Sequence, residues 1–363
     1  MGIDRMIRRV MLAVGGYTPG LSVETLSDKI PAGDIIKLNA NENPYGCSPR
    51  VSQALAGNLN FNIYPDAGQG ELKQLLAGYT GAGPENIIAG HGSNQLVDDV
   101  LRLFVGPGDE VINCLPTFDL FRFRTQVCGG TVVEVRRDDS FAVDIKAIKA
   151  AITASTKLIL LATPNNPTGT VTPQEDIKAM AATGLPVLID EAYVEFSGRT
   201  VAPLVDRYEN LMVLRTFSKW AGLAGLRIGY GIFPTAIADL LMKTSLPFSV
   251  SVAAVAAVRE TLKDLKNVQE KVQLLVMERE RLFTKLSTLK WLKPFSSEGN
   301  FIFCSVLEGN ARKVQQALQD KGILIRYFDV PLLENAIRIS VGRPEHTDAV
   351  IKALQQISPS SRQ

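Results

Sequence analysis

Leu158-Ile159-Leu160-Leu161-Ala162-Thr163-Pro164-Asn165-Asn166-Pro167-Thr168-Gly169 is an apolar run that ends in a turn holding two prolines and a glycine. The run does not alternate apolar with polar residues, so it reads as a strand covered on both faces. The prolines and the glycine make the turn after it rigid. Working outward, further strand-like runs lie at Asn86 to Ala89, Glu110 to Asn113, Thr131 to Val135, Val187 to Asp190, Leu211 to Arg215 and Arg227 to Gly231. A helix follows Gly90-His91-Gly92-Ser93. Its Leu96, Val97, Val100, Leu101 and Phe104 share one face, and Asp98, Asp99 and Arg102 the other. Strands alternating with helices over this length predict a mostly parallel, doubly wound α/β sheet.

The pattern changes after residue 250. Ser251 to about Leu289 reads as one or two long helices. Short alternations follow: Phe301 to Val306, a helix from Ala311 to Lys321, Ile323 to Tyr327, Ala336 to Val341 and a helix from Glu345 to Ile357. These predict a smaller α/β domain. The first forty residues read as irregular, and the polar tail from Ser358 to Gln363 as frayed.

Open α/β sheets bind ligands beyond the carboxyl ends of their strands. Four segments fall there. Gly90-His91-Gly92-Ser93-Asn94 feeds a helix N-terminus and offers backbone N–H groups to an anion; alone, a plain tight turn is the competing reading. Pro164 to Gly169 can aim an Asn amide at a ligand oxygen, or be an ordinary Asn-rich turn. Asp190, in Asp190-Glu191-Ala192-Tyr193, ends an apolar strand, where a carboxylate needs a partner; a protonated pyridine nitrogen, a helix cap or a metal would each serve. Lys219 follows an apolar strand in Thr216-Phe217-Ser218-Lys219. A desolvated lysine can form a Schiff base, whereas most lysines are solvated surface charges. Ser218 beside it and Arg227 downstream suit a phosphate.

Taken in order, Asn-Asn-Pro-Thr-Gly, Asp-Glu-Ala-Tyr and Ser-Lys with a downstream Gly-Leu-Arg resemble the class II aminotransferases of fold type I, which use pyridoxal 5'-phosphate. The resemblance covers nearly the whole chain. It implies a large domain at residues 41–250 with a mostly parallel seven-stranded sheet, and a small α/β domain formed by residues 1–40 and 251–358. It also implies roles. Lys219 carries the cofactor as a Schiff base and moves the proton, and Asp190 pairs with the pyridine nitrogen. Asn166 and Tyr193 bond the phenolic oxygen, with Tyr193 counted beside Lys219 and Asp190 in the catalytic group. Ser93, Asn94, Ser218 and Arg227 surround the phosphate, and Phe118 stacks on the ring.

Within that family the chain looks like the histidinol-phosphate aminotransferases. The residues that carry this likeness are Tyr17-Thr18-Pro19-Gly20, the run from Lys37 to Gly46, Tyr64-Pro65-Asp66, Ser297 to Phe301, Arg326 and Arg338. It implies that Tyr17, Asn43, Arg326 and Arg338 face the substrate, and that Tyr64 reaches the cofactor phosphate of a neighbouring subunit, making the protein a homodimer. The expected reaction moves an amino group between L-histidinol phosphate and 2-oxoglutarate. An aromatic aminotransferase and a threonine-phosphate decarboxylase share the motif set and are the alternatives. His91 and Gln95 stand where Asn and Glu are usual, Phe118 where Tyr is common, and Trp220-Ala221 where Ala-Phe is common. None of these departures removes a catalytic group. His91 reads as a turn residue and His346 as a surface one.

Composition narrows the partners. A net charge of +2, with Lys and Arg scattered among Asp and Glu, gives no basic face for nucleic acid. No stretch approaches a membrane span, and the apolar run after Arg8 and Arg9 is too short for a signal-peptide core. Cys47, Cys114, Cys128 and Cys304 form no C-x-x-C pair and no metal motif, which fits a reducing, cytoplasmic setting. A P-loop and a complete Gly-x-Gly-x-x-Gly are both missing, so an unrelated nucleotide-binding enzyme is disfavoured.

Overall fold

The computed structural model describes residues 2–16, 20–24, 30–57 and 60–357. Its strands, in chain order, are β1 (Ile36–Leu38), β2 (Ile87–His91), β3 (Glu110–Leu115), β4 (Thr131–Arg136), β5 (Thr156–Ala162), β6 (Val187–Asp190), β7 (Leu211–Thr216), β8 (Ile228–Ile232), β9 (Leu292–Pro294), β10 (Phe301–Val306), β11 (Ile323–Tyr327) and β12 (Ala336–Ser340). Seven of them form one sheet in the order β2-β8-β7-β6-β5-β3-β4. Only β8 runs antiparallel to its neighbours. The rest pair in parallel, as the unbroken apolar runs require.

Strands β6, β7 and β8 are buried at every residue because helices cover both faces. Helix Ser93–Phe104 buries Leu96, Val97, Val100 and Leu101 against Ile88, Leu188 and Met212. Each such side chain contributes about 1.5–3 kcal/mol by leaving water. The chain goes outward from β3 to β4 and then returns to place β5 on the other side of β3. That reversal opens a crevice at the carboxyl ends of β3 and β5. In register, Ala162 of β5 pairs with Asp190 of β6, and Asp190 with Leu214 of β7. The turns that follow these three strands therefore start from one edge.

The second sheet has the order β1-β11-β12-β10-β9. Its edge strand β1 lies parallel to β11, in a stretch where the sequence reads as irregular. Three residues are too few to show a period, and here the pairing is set by tertiary contact. Ser251 to Leu289 forms two helices, Val252–Lys263 and Leu265–Ser287, broken at Asp264. Helix Val252–Lys263 packs on helices Pro49–Ala56 and Gly70–Thr80, whereas Leu265–Ser287 reaches β9, β10 and the last helix, Pro344–Ile357. Arg227, expected to open β8, instead precedes it with φ of +51°, a left-handed conformation that cannot continue a strand. Among the described residues no helix is long and apolar enough to cross a membrane.

Candidate active site

The crevice beyond β3, β5, β6 and β7 opens into a cavity of about 1120 Å³, closed on its far side by β11, β12 and the segment after β11. Lys219 lines it, with its amine donating to the Ala40 carbonyl at 2.8 Å. Burial, and after it the nearby Arg338 guanidinium, push this amine down to about 8, with Arg227 and Lys37 acting in the same direction against Glu42. Near neutral pH roughly a tenth of such an amine is unprotonated, far more than for an ordinary lysine.

Asp190 stands at the end of β6, 7% exposed, and accepts the Ala192 N–H at 3.0 Å. Burial raises its carboxyl to about 6, although the Lys219 charge works against the rise. Among the described residues it has no ion-pair partner. A buried carboxylate in this position is complementary to a ligand cation.

The opposite chemistry gathers at another part of the cavity. Ser93 and Asn94 open their helix behind Gly92, whose φ is +76°. A Cβ at Gly92 would fall 2.6 Å from Arg227 Nη2, and one at Gly229 would fall 2.3 Å from the Ser93 nitrogen. Gly229 is required because a Cβ there would meet backbone where the helix abuts β8, and Gly92 is required by its positive φ. Arg227 Nη1 lies 3.5 Å from Ser218 Oγ. Backbone N–H groups at a helix N-terminus, a hydroxyl and a guanidinium form an anion cradle. The residues present thus fit pyridoxal phosphate, with donors for its phosphate, Asp190 for its ring nitrogen and Lys219 for its carbonyl carbon.

Around these, Tyr193 accepts from Asn41 Nδ2 at 2.9 Å, and Asn166 Oδ1 accepts from Arg338 Nη1 at 2.5 Å. Phe118 lines the wall and meets Phe121 edge-on at 5.8 Å. Arg338 also donates to the Asn39 carbonyl at 2.8 Å. Its Cα partner across the β11–β12 ladder is Arg326, and both guanidiniums lie over Phe328, at 5.6 Å for Arg326 and 5.8 Å for Arg338. Like charges directly opposite each other repel. An anion between them would remove the repulsion.

Of the other expected residues, two stand away from this cavity. Asn43 does not line the cavity: its Nδ2 donates to the Trp220 carbonyl at 2.8 Å and its Oδ1 accepts the Tyr45 N–H at 2.9 Å, so both ends of the amide brace backbone beside Lys219. Tyr64 is 78% exposed, stacks on Phe248 at 4.6 Å and borders a second cavity of about 620 Å³. Tyr17 lies outside the described residues. His346 is partly exposed, and its Nδ1 accepts the Arg343 N–H at 3.2 Å.

The sequence model for "Aminotransferase class I and II" matches residues 33–355. A histidinol-phosphate aminotransferase of Dehalococcoides mccartyi is 52% identical over 98% of both chains. The chain belongs to the histidinol-phosphate aminotransferase family of class I and II aminotransferases. A chloroplastic histidinol-phosphate aminotransferase of Nicotiana tabacum is 41% identical over 97% of this chain and 86% of its own. The crystal structure of the Sinorhizobium meliloti histidinol-phosphate aminotransferase in complex with pyridoxal-5'-phosphate superposes with a TM-score of 0.87, at 29% identity over 98% of both chains.

In this aminotransferase the departures in the motifs have local causes. Gln95 Oε1 accepts the His91 N–H at 2.7 Å and its Nε2 reaches Asp99 at 3.2 Å, so it closes the phosphate turn. Trp220 is buried and stacks on Tyr79 at 5.6 Å, filling the space under the lysine loop. Asn41, Glu42 and Asn39 line the site without having been singled out in the sequence. Their signal was present in the Asn-rich run at 39–43, but residue type alone does not say which Asn faces inward.

Proposed function

We infer that the chain transfers an amino group between L-histidinol phosphate and 2-oxoglutarate, giving imidazole acetol phosphate and glutamate, with pyridoxal 5'-phosphate as cofactor, in histidine biosynthesis. The observation that carries this reading is one cavity holding Lys219, Asp190 and the Ser218–Arg227 cradle on one side and the Arg326–Arg338 pair on the other. The identity to the Dehalococcoides enzyme supports the choice of substrate. When bound, the cofactor supplies an electron sink for the substrate carbanion. Lys219 Nζ, with its lowered affinity for protons, is the group that takes the proton from the substrate α-carbon and returns it. Asp190 would pair with the ring nitrogen and favour its protonated form, and Tyr193 and Asn166 would hydrogen-bond the phenolic oxygen. The two arginines grip the phosphate of histidinol phosphate or the distal carboxylate of glutamate.

We further propose that residues 41–250 form the body that holds the cofactor, and that residues 1–40 with 251–358 form a smaller unit carrying both arginines. Ile63, Tyr64, Leu246 and Phe248 are exposed around the second cavity, an apolar face suited to a second copy. Docking there supports a homodimer in which Tyr64 reaches the neighbour's phosphate site. A monomer by sedimentation at micromolar concentration would contradict this. The four unpaired thiols are in keeping with a cytoplasmic enzyme.

The test of substrate is the half-reaction. Histidinol phosphate and glutamate, added singly without keto acid, should each convert the bound cofactor to its amine form. Arg338→Gln should raise the concentration of either needed for half-conversion by about 10- to 100-fold, the equivalent of one lost charge-assisted contact. Carbon dioxide released from threonine phosphate would identify a decarboxylase. A response to phenylalanine but not to histidinol phosphate would identify an aromatic aminotransferase.

A further inference from the structure

Behind the cavity lies a buried ionic cluster that the reaction itself does not touch. Glu191, fully buried, follows Asp190, and Arg215, 7% exposed, sits on β7 shortly before Lys219. Arg215 Nε donates to Glu191 Oε2 at 3.0 Å, and Nη2 donates to Thr200 Oγ1 at 2.6 Å. The Glu191 carboxylate also accepts from Thr200 Oγ1 at 2.8 Å and from the Val201 N–H at 2.6 Å. Its own N–H extends the β6–β7 ladder to the Leu214 carbonyl at 2.8 Å. Backbone and side chain thus both tie the end of β6 to β7. Glu195 and Tyr230 also face Arg215. Tyr79 donates to Glu195 at 3.4 Å and stacks on Trp220, the residue after Lys219.

A buried ion pair is weak support for stability, since well-packed apolar residues often serve as well. We propose that Glu191 and Arg215 are positioning residues which, as a neutral pair, lock the carboxyl ends of β6 and β7 and so set Asp190 against Lys219. The proposal rests on Asp190 and Lys219 holding the cofactor. If either partner is lost, the survivor's charge acts on both residues through desolvated protein, where it is poorly screened.

The test compares Glu191→Gln, Arg215→Met and Arg215→Lys as holoenzymes. It follows the pH midpoint of the lysine-bound cofactor's absorption band and the cofactor dissociation constant, with thermal unfolding alongside. In Glu191→Gln, Arg215 loses its ion-pair partner and keeps only Glu195 as a facing carboxyl, so its less balanced charge disfavours a protonated nitrogen at Lys219 and the midpoint should fall. In Arg215→Met the bare Glu191 charge should raise it. Both should bind the cofactor at least tenfold more weakly, and Arg215→Lys should recover most of that loss. Midpoints that move the same way, or parental midpoints and affinities in variants that merely unfold at lower temperature, would overturn the proposal. Should Arg215→Met not fold, Glu191→Gln keeps the shape of the site, and an unmoved midpoint there would overturn it equally. Absence of the band in the unaltered holoenzyme would instead overturn the cofactor reading, so the two failures are distinguishable.

Discussion

Replacing Lys219 with Ala should lower kcat by about 10⁴-fold or more, because the proposed mechanism makes this one residue both the covalent anchor and the proton carrier. The fold should survive. Among the described contacts the amine makes one hydrogen bond, to the Ala40 carbonyl, and its loss removes a poorly solvated cation near Arg338 and Arg227. Ser218, Arg227 and the helix N-terminus at Ser93 remain, so the cofactor should still bind without being covalently held. Steady-state kinetics beside equilibrium dialysis would check this, and a variant with more than a tenth of the parental kcat would refute the assignment.

Asp190→Asn is the second large effect. It keeps the shape of the strand end and removes the negative charge proposed to face the ring nitrogen, so kcat should fall by about 10²–10³-fold, the usual scale for losing one preorganised electrostatic contact. Stability of the apoprotein should move the other way. Burial raises Asp190 from 3.8 to about 6, so the folded state holds this proton more tightly than the unfolded chain. Its contribution is fully present below about pH 4 and is lost as pH rises through 6, a change of about 3 kcal/mol. Apo Asp190→Asn should lack that decline and unfold at a higher temperature than the apo parent at pH 7. Equal pH profiles for the two apoproteins, measured by thermal denaturation, would show that Asp190 is not held as described.

The strands that carry the site were legible because they are covered on both faces. Val187 to Asp190 has the same bounds in sequence and structure, and Leu158 to Ala162 extends by two residues, to Thr156. The motif residues keep their sequence order around one cavity: Asn166 comes after β5, Asp190 ends β6, Lys219 comes after β7 and Arg227 immediately precedes β8. Other features depend on contacts that sequence does not display. Strands β1 and β9 have three residues each and exist by pairing with β11 and β10. Asn41 rather than Asn43 meets Tyr193 because Asn41 takes a φ of +55°, which turns the chain at that point. Tyr64 does not line the cavity of its own chain: its ring is 78% exposed and stacks on Phe248.

The most direct test of the central claim is to reduce the holoenzyme with borohydride and locate the modified residue by peptide mass spectrometry. A single cofactor-derived mass on the peptide containing Lys219, absent from Lys219→Ala, is the predicted result. Cofactor fixed to any other lysine, or to none, would contradict the account.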